Sequence, residues 1–269
     1  MEILDFDYIK QGNCLDLIKQ LPDDSIDLTV TSPPYDNLRT YGGLVEWSFE
    51  SFQTLAKEMF RITKKGGVCV WNVSDAVVNG SETGSSFRQA LFFKDIGFNL
   101  HDTMIWKKDV PSFPDATRYA QCFEYMFVLT KGKPKTIHKI ADRKNKYAGA
   151  PVHGTSRNPD GHTFRKANDK KSLVKDFGER WNVWEFPTEK QNKTGHPAVF
   201  PIRMPHDHII SWTEEGDVVF DPFLGSGTTA IAAVRTNRHY IGFEINPDYF
   251  QTACDRLTAE ASISFAPEG

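Results

Sequence analysis

The chain has 269 residues, of which 39% are hydrophobic and 25% charged, and its formal net charge is −3. This composition is typical of a folded globular protein, and no apolar run reaches membrane-spanning length. The four cysteines are widely spaced, which argues against a zinc site or a disulfide framework, and the acidic N-terminus is unlike a secretory signal. We therefore expect a cytoplasmic protein with no metal ion and no membrane partner.

The hydrophobic pattern predicts alternating strands and helices. The predicted strands are 8–11, 26–31, 68–73, 100–106, 123–130, 218–220 and 239–243. The predicted helices are 14–20, 49–62, 86–96, 205–212, one that begins at Thr228, and 247–260. We expect Ser48 to cap the second helix, Gly66-Gly67 to end it, and strand 100–106 to pair with strand 123–130. The alternation predicts an α/β fold with a doubly wound, mostly parallel sheet.

A short motif, Ser32-Pro33-Pro34-Tyr35, follows the strand that ends at Thr31. Its two prolines lack backbone N–H groups and restrict the chain, so nearby carbonyl oxygens have few competing partners. These oxygens and the Ser32 side chain suit the two hydrogens of an aromatic amine such as cytosine N4. Tyr35 offers a stacking face for a base that has left its duplex. The alternative is a polar turn that closes a strand.

A second motif, Asp221-Pro222-Phe223-Leu224-Gly225-Ser226-Gly227-Thr228-Thr229, lies between a predicted strand and a predicted helix. Its glycines permit a tight turn and close approach of the backbone to a ligand. Glu244 ends the next strand, where a carboxylate accepts hydrogen bonds from ribose hydroxyls. The turn lacks the lysine of a phosphate loop and the full dinucleotide spacing, so a cofactor with an adenosine and no phosphates fits best. The alternative is ordinary turn chemistry.

With these motifs, the chain resembles the DNA amino-methyltransferases of the N4-cytosine/N6-adenine group, in the permuted (beta) order in which the catalytic motif comes first. The resemblance includes the segments 12–16, 104–107, 124–131 and 196–201. It implies a Rossmann-like methyltransferase fold that binds S-adenosyl-L-methionine. It assigns catalysis to Ser32, Pro33, Pro34 and Tyr35. The residues assigned to the cofactor are Asn13, Cys14, His196, Pro197, Phe200, Asp221, Pro222, Phe223, Gly225, Ser226, Gly227, Thr228, Thr229, Glu244 and Asn246.

The middle of the chain is basic. Residues 131–193 contain 16 Lys and Arg against 7 Asp and Glu, whereas the rest contains 16 against 28. We interpret 132–193 as an inserted target-recognition region that contacts duplex DNA, between a catalytic part, 1–131, and a cofactor-binding part, 194–269. The alternative is a solvated basic loop. The candidate DNA contacts are Lys144, Arg157, Arg165 and Lys166.

Together, the motifs and the resemblance predict a site-specific DNA methyltransferase that acts on the N4 amine of a flipped-out cytosine. In this family a serine at the start of the catalytic motif usually accompanies cytosine and an aspartate usually accompanies adenine, so N6-adenine methylation is the alternative. An RNA or protein methyltransferase, a catalytically inactive DNA-binding module and a nucleotide-driven motor are less favoured alternatives. A homodimer and a cognate restriction endonuclease are further possible partners.

Overall fold

The largest β-sheet in the described part of the chain has eight strands and is mostly parallel. The computed structural model describes residues 6–34, 47–110, 117–152, 155–165, 173–188 and 200–264. The strands are β1 (Tyr8–Gln11), β2 (Ile26–Thr31), β3 (Thr63–Val73), β4 (Val77–Val78), β5 (Ser81–Glu82), β6 (Asn99–Lys107), β7 (Phe123–Thr130), β8 (Arg143–Lys144), β9 (Thr155–Arg157), β10 (Thr163–Arg165), β11 (Phe177–Gly178), β12 (Val183–Glu185), β13 (Val218–Asp221) and β14 (His239–Glu244). The helices are α1 (Cys14–Leu17), α2 (Phe49–Ile62), α3 (Ser85–Asp95), α4 (Arg203–Trp212), α5 (Thr228–Arg235) and α6 (Pro247–Ser264).

The strands of the large sheet follow the order β1, β14, β13, β2, β3, β7, β6 and β12. The first five are parallel to one another, and β12 is parallel to β6. The strand β7 is antiparallel to both β3 and β6. Helices α4 and α5 contact the parallel part of the sheet, and α3 contacts β6 and β7. The predicted α/β fold and the pairing of the two late strands are confirmed.

Helix α2 illustrates how the apolar spacing builds the core. The Ser48 side chain caps the helix by accepting a hydrogen bond from the Ser51 N–H at 3.1 Å, as the sequence predicts. The ring of Phe52 lies 5.7 Å from that of Trp71 on β3, in the main apolar cluster. The buried side chains of α2 recur every three or four residues, as an amphipathic helix requires. They are Phe52, Leu55, Ala56, Met59 and Ile62.

The predicted end of this helix at Gly66-Gly67 is wrong. Helix α2 already ends at Ile62, and both glycines lie inside β3, which begins at Thr63. A Cβ atom on Gly67 would lie 2.8 Å from Thr63 Cγ2 and 3.0 Å from the main-chain oxygen of Asp27. Glycine therefore permits the close approach of two strands here. A glycine at the end of a helix and a glycine between close strands look the same in the sequence.

The chain divides into two compact units, one formed by 1–138 with 182–269 and the other by 139–181. Strand β12 belongs to the large sheet, although the sequence assigns residues 183–185 to the insertion. Trp184 of this strand is buried, and its ring stacks on that of His208 at 4.5 Å. The apolar run around Trp184 is too short to predict this pairing.

The small unit, 139–181, contains two short antiparallel strand pairs, β8 with β11 and β9 with β10. Lys144 and Arg157 lie on these strands with exposed side chains. The DNA-recognition role of this segment remains a prediction, and its predicted boundary at 193 lies outside the described residues. Over the described part of the chain, no helix has the length and apolar character needed to cross a membrane.

Candidate active site at the carboxyl ends of the central strands

The predicted catalytic motif follows β2, whose six residues are all buried. Pro33 is buried, whereas Ser32 and Pro34 are partly exposed. Strand β2 lies between β13 and β3, so the motif leaves the sheet at the carboxyl ends of neighbouring parallel strands. Open α/β sheets bind their ligands at this edge. Tyr35, the fourth residue of the motif, lies outside the described residues.

A buried hydrogen bond joins the two predicted motifs. Strand β2 pairs with β13, with Leu28 opposite Val219. At the ends of these strands, the Thr31 hydroxyl donates to Asp221 Oδ1 at 2.6 Å, across 190 residues of sequence. Both residues are buried. The start of the Ser32-Pro33-Pro34 segment and the start of the glycine motif are therefore direct neighbours.

The Asp221 carboxylate organises the start of the glycine motif. Its Oδ1 also accepts the Phe223 N–H at 3.0 Å, and its Oδ2 accepts the Thr229 hydroxyl at 2.7 Å. Burial raises the pKa of Asp221 to about 6, against the lowering effect of the hydrogen bonds from Thr31 and Thr229. The carboxyl group is therefore mostly ionised at neutral pH and takes up a proton in mild acid.

The turn at Gly225-Ser226-Gly227 depends on the conformational freedom of its glycines. Gly225 has φ of +55° and Gly227 has φ of +86°, which other residues rarely adopt. The Leu224 N–H donates to Phe243 O at 2.8 Å, and the Gly227 N–H donates to Leu224 O at 3.0 Å. The first bond attaches the turn to β14 at the same edge of the sheet, and the second closes the turn itself.

The Glu244 carboxylate lies beside this turn. Its Oε2 accepts the Gly225 N–H, and its Oε1 accepts the Asn246 N–H, each at 2.8 Å. Burial raises the pKa of the Glu244 carboxyl above its ordinary value. Each carboxylate oxygen offers two lone pairs, so each has the capacity to accept a ribose hydroxyl as well. The turn and this carboxylate therefore fit the adenosine of the predicted cofactor.

The segment that contains Asn13 and Cys14 also reaches this edge. The Gly12 N–H donates to the main-chain oxygen of Glu244 at 2.9 Å. Asn13 Oδ1 accepts the Leu15 N–H at 3.0 Å and so caps α1. Burial raises the pKa of the Cys14 thiol to about 12, so Cys14 carries a neutral thiol and not a nucleophilic thiolate. A contact of Asn13 or Cys14 with the cofactor remains a prediction.

Some of the remaining predicted site residues lie in the described part of the chain, and others do not. Pro222 is buried, and the Phe223 ring packs edge-on against Trp47, with 5.1 Å between the ring centroids. Phe200 is partly buried shortly before α4. Outside the described residues, or with a side chain outside them, lie His196, Pro197, Arg165 and Lys166.

Two contacts of the site were not predicted. Thr31 is the donor that connects the motifs, and Arg256 of α6 donates to Ser226 Oγ at 2.9 Å. A threonine at the end of a wholly buried strand is a weak signal for the first contact. The sequence of α6 gives no signal for the contact between Arg256 and Ser226, because an arginine is common on the exposed face of any helix.

Solved structures identify the class of protein. PvuII DNA methyltransferase (cytosine-N4-specific) matches with a TM-score of 0.70 at 22% identity, over 97% of this chain and 90% of that chain. A putative DNA modification methylase of Thermus thermophilus, solved with S-adenosyl-L-methionine, matches with a TM-score of 0.63 at 26% identity, over 94% of each chain. The fold is that of the S-adenosyl-L-methionine-dependent DNA methyltransferases.

Sequence comparison then gives the family. The N6_N4_Mtase family model, described as DNA methylase, matches residues 26–255. The chain is 54% identical over 247 residues to the orphan methyltransferase M.BamHII of Bacillus amyloliquefaciens. This alignment covers 89% of this chain and 91% of M.BamHII. The chain belongs to the N6/N4 DNA methylase family, and its cofactor is S-adenosyl-L-methionine. The permuted class remains a prediction.

Proposed function

We propose that the protein methylates the N4 amine of a cytosine that has flipped out of duplex DNA at a specific site. The hydrogen bond between Thr31 and Asp221 most directly supports methyl transfer at this site, because it joins the strand end before Ser32 to the start of the glycine motif. The choice of cytosine rests on the serine that opens the catalytic motif. Methyl transfer requires the accepting amine and the methyl donor within one site. The two motifs are neighbours despite their separation along the chain, which supports a single site for both groups.

The Ser32-Pro33-Pro34 segment is proposed to bind the target amine. An aromatic amine is a weak nucleophile because its lone pair is delocalised into the ring. Hydrogen bonds from both amine hydrogens to the Ser32 side chain and a carbonyl oxygen of the segment favour a pyramidal nitrogen with a directed lone pair. The prolines themselves contribute no N–H donor that competes with the amine for these acceptors. Tyr35 is proposed to stack on the flipped base.

The glycine turn and its neighbours are proposed to bind the cofactor. When bound, S-adenosyl-L-methionine supplies an electrophilic methyl group on a positively charged sulfur. Glu244 accepts hydrogen bonds from the ribose hydroxyls. Asp221 stabilises the start of the turn by accepting hydrogen bonds from the Phe223 N–H and the Thr229 hydroxyl. The remaining proposed cofactor residues are Asn13, Cys14, His196, Pro197, Phe200, Pro222, Gly225, Ser226, Gly227, Thr228 and Asn246.

Mass spectrometry of the product tests the choice of base. Plasmid DNA is incubated with the protein and S-adenosyl-L-methionine, digested to nucleosides and analysed. We expect N4-methylcytosine. N6-methyladenine would overturn the choice of base and leave the family assignment intact. Parallel incubations with RNA and with protein test the other substrate classes, and base-resolved sequencing of the DNA gives the recognition sequence.

A serine pair tests the proposed amine site. Ser32→Ala removes one proposed acceptor, and we expect kcat to fall by about 100-fold, the typical effect of losing one such hydrogen bond in a transition state. Ser81→Ala alters an exposed serine of the β4–β5 hairpin and serves as the matched control. Affinity for S-adenosyl-L-methionine should stay unchanged in both variants. An equal kcat in both variants contradicts the role of Ser32.

Salt dependence tests the proposed role of the basic segment in DNA binding. The slope of log K against log salt is negative, and each lost phosphate contact makes it less negative by about 0.9 on duplex DNA. We expect the double substitution Lys144→Gln with Arg157→Gln to make the slope less negative by about 1.8. Lys19→Gln, an exposed lysine on the large unit, is the control and should leave the slope unchanged. An unchanged slope in the double variant excludes phosphate contacts by these two residues.

A further inference from the structure

The Arg256 side chain, on α6, contacts three oxygen atoms of the glycine motif. Its Nη1 donates to the main-chain oxygen of Ser226 and, at 2.9 Å, to Ser226 Oγ. The same nitrogen lies 3.4 Å from Thr228 Oγ1. Ser226 and Thr228 are buried, and Arg256 is partly buried. A charged donor thus reaches both the middle of the turn and the first residue of α5.

Helix α6 also packs directly on the turn. A Cβ atom on Gly227 would lie 3.1 Å from the Cβ of Ala253, so the turn and the helix are in close contact. Ala253 and Leu257 share an apolar cluster with Leu224, which precedes the turn. Arg256 therefore approaches the turn from a helix that neighbouring apolar side chains already hold in place.

The contact with Ser226 restrains the residue that lies between the two glycines of the turn. The carbonyl of Ser226 is held by Arg256, and the N–H of the same peptide group, on Gly227, donates to Leu224 O at 3.0 Å. Both polar ends of this peptide are thus bonded. Glycines on either side lose more backbone entropy on ordering than other residues. Hydrogen bonds from a charged donor are stronger than neutral ones, so they offset more of that cost.

We propose that Arg256 is a positioning residue that keeps the glycine turn in its cofactor-binding shape. This inference rests on the proposed cofactor site at Gly225-Ser226-Gly227. Because Arg256 acts through Ser226 on the shape of the turn, its loss weakens cofactor binding by removing preorganisation. The rate at saturating cofactor and DNA stays close to that of the wild type, since the proposed amine site at Ser32 is not altered.

The test compares Arg256→Met with Arg235→Met. Arg235, on α5, forms an ion pair with Glu260 of α6 at 2.6 Å, so it links α5 to the same helix without contacting the turn. We expect Arg256→Met to raise the Kd for S-adenosyl-L-methionine about tenfold in isothermal titration calorimetry, with kcat within about twofold of the wild type. Arg235→Met should change both values by less than about twofold.

Arg256→Lys is the conservative variant. Lysine keeps the charge but presents a single ammonium in place of the planar guanidinium, so we expect a Kd between those of the wild type and Arg256→Met. If Arg256→Met does not fold, the lysine variant decides the question by itself. A wild-type Kd in the folded Arg256 variant, an equal rise in Kd in the Arg235 control, or a fall in kcat at unchanged Kd each overturns the positioning role.

Glu244→Gln separates this inference from the site on which it rests. If Glu244→Gln weakens cofactor binding and Arg256→Met does not, the cofactor site stands and only the role of Arg256 is lost. If both variants bind S-adenosyl-L-methionine as the wild type does, the cofactor site itself is wrongly placed. The same titrations with S-adenosyl-L-homocysteine give the affinity without turnover.

Discussion

The substitution Thr31→Val tests the hydrogen bond that joins the two motifs. Valine has nearly the volume of threonine and suits a buried strand, so the main change is the loss of the hydroxyl donor. The Thr31 hydroxyl lies 2.6 Å from Asp221 Oδ1, and the two residues are 0% and 1% exposed. Removing a donor from a buried carboxylate costs about 1.5–3 kcal/mol, so we expect the free energy of unfolding at pH 8 to fall by that amount.

Thr29→Val is a matched control on the same strand. The Thr29 hydroxyl is buried and, among the described residues, has no hydrogen-bond partner. Replacing it with a methyl group removes an unsatisfied polar atom, so we expect a change within about 0.5 kcal/mol or a small gain in stability. Urea unfolding of the wild type and both variants, followed by circular dichroism, measures the difference.

The same comparison at pH 5 makes the test specific to Asp221. Burial raises the pKa of Asp221 to about 6, so its carboxyl is mostly protonated at pH 5. A neutral carboxyl needs the Thr31 donor less than a carboxylate does, and the cost of Thr31→Val should therefore be smaller at pH 5 than at pH 8. Equal costs for the two valine variants, or a cost of Thr31→Val that does not change with pH, would refute this reasoning.

Three further predictions follow from buried and main-chain contacts. Asp221 has a pKa raised from 3.8 to about 6, so the stability that its protonated form contributes is complete below pH 3.8 and is lost as the pH rises through 6. In urea titrations, Asp221→Asn should therefore gain about 2 kcal/mol relative to the wild type between pH 4 and pH 7. Gly227 has a φ of +86°, and a Cβ atom added there would lie 3.1 Å from the Cβ of Ala253, whereas Gly216 has a φ of +82° and open space around it. In thermal unfolding we expect Gly216→Ala to lose about 1–3 kcal/mol of stability and Gly227→Ala to lose more. Equal losses would exclude a steric contribution at Gly227. Lys131 donates to the main-chain oxygens of Phe60 and Thr63, near the end of α2, and to Asp24 Oδ1, at 2.9, 2.8 and 2.8 Å. Lys131→Met should therefore lose about 1.5–3 kcal/mol in urea unfolding, while the exposed Lys133→Met should change by less than about 0.5 kcal/mol. Similar values for both lysines would contradict a stabilising role of these three contacts.

The sequence by itself determined those features that depend on residues close together in the chain. The apolar run 26–31 and the prolines after it defined both the strand before the proposed catalytic motif and the end of that strand. The glycines at 225 and 227 predicted a tight turn, and the structure has a turn there with positive φ at both glycines. Helix α2 followed from apolar spacing and from its serine cap. In each case the pattern and the cause lie within one or two turns of helix or a few residues of strand.

Only the tertiary structure decided which of these local features meet. Thr31 and Asp221 are 190 residues apart, and the pairing of β2 with β13 makes them hydrogen-bond partners. Arg256 reaches the turn at Ser226 only because α6 packs on it, and Gly67 permits strand contact where the sequence suggested a helix end. Such contacts depend on the packing of whole elements, and a periodic pattern within one segment carries no information about the partner in another.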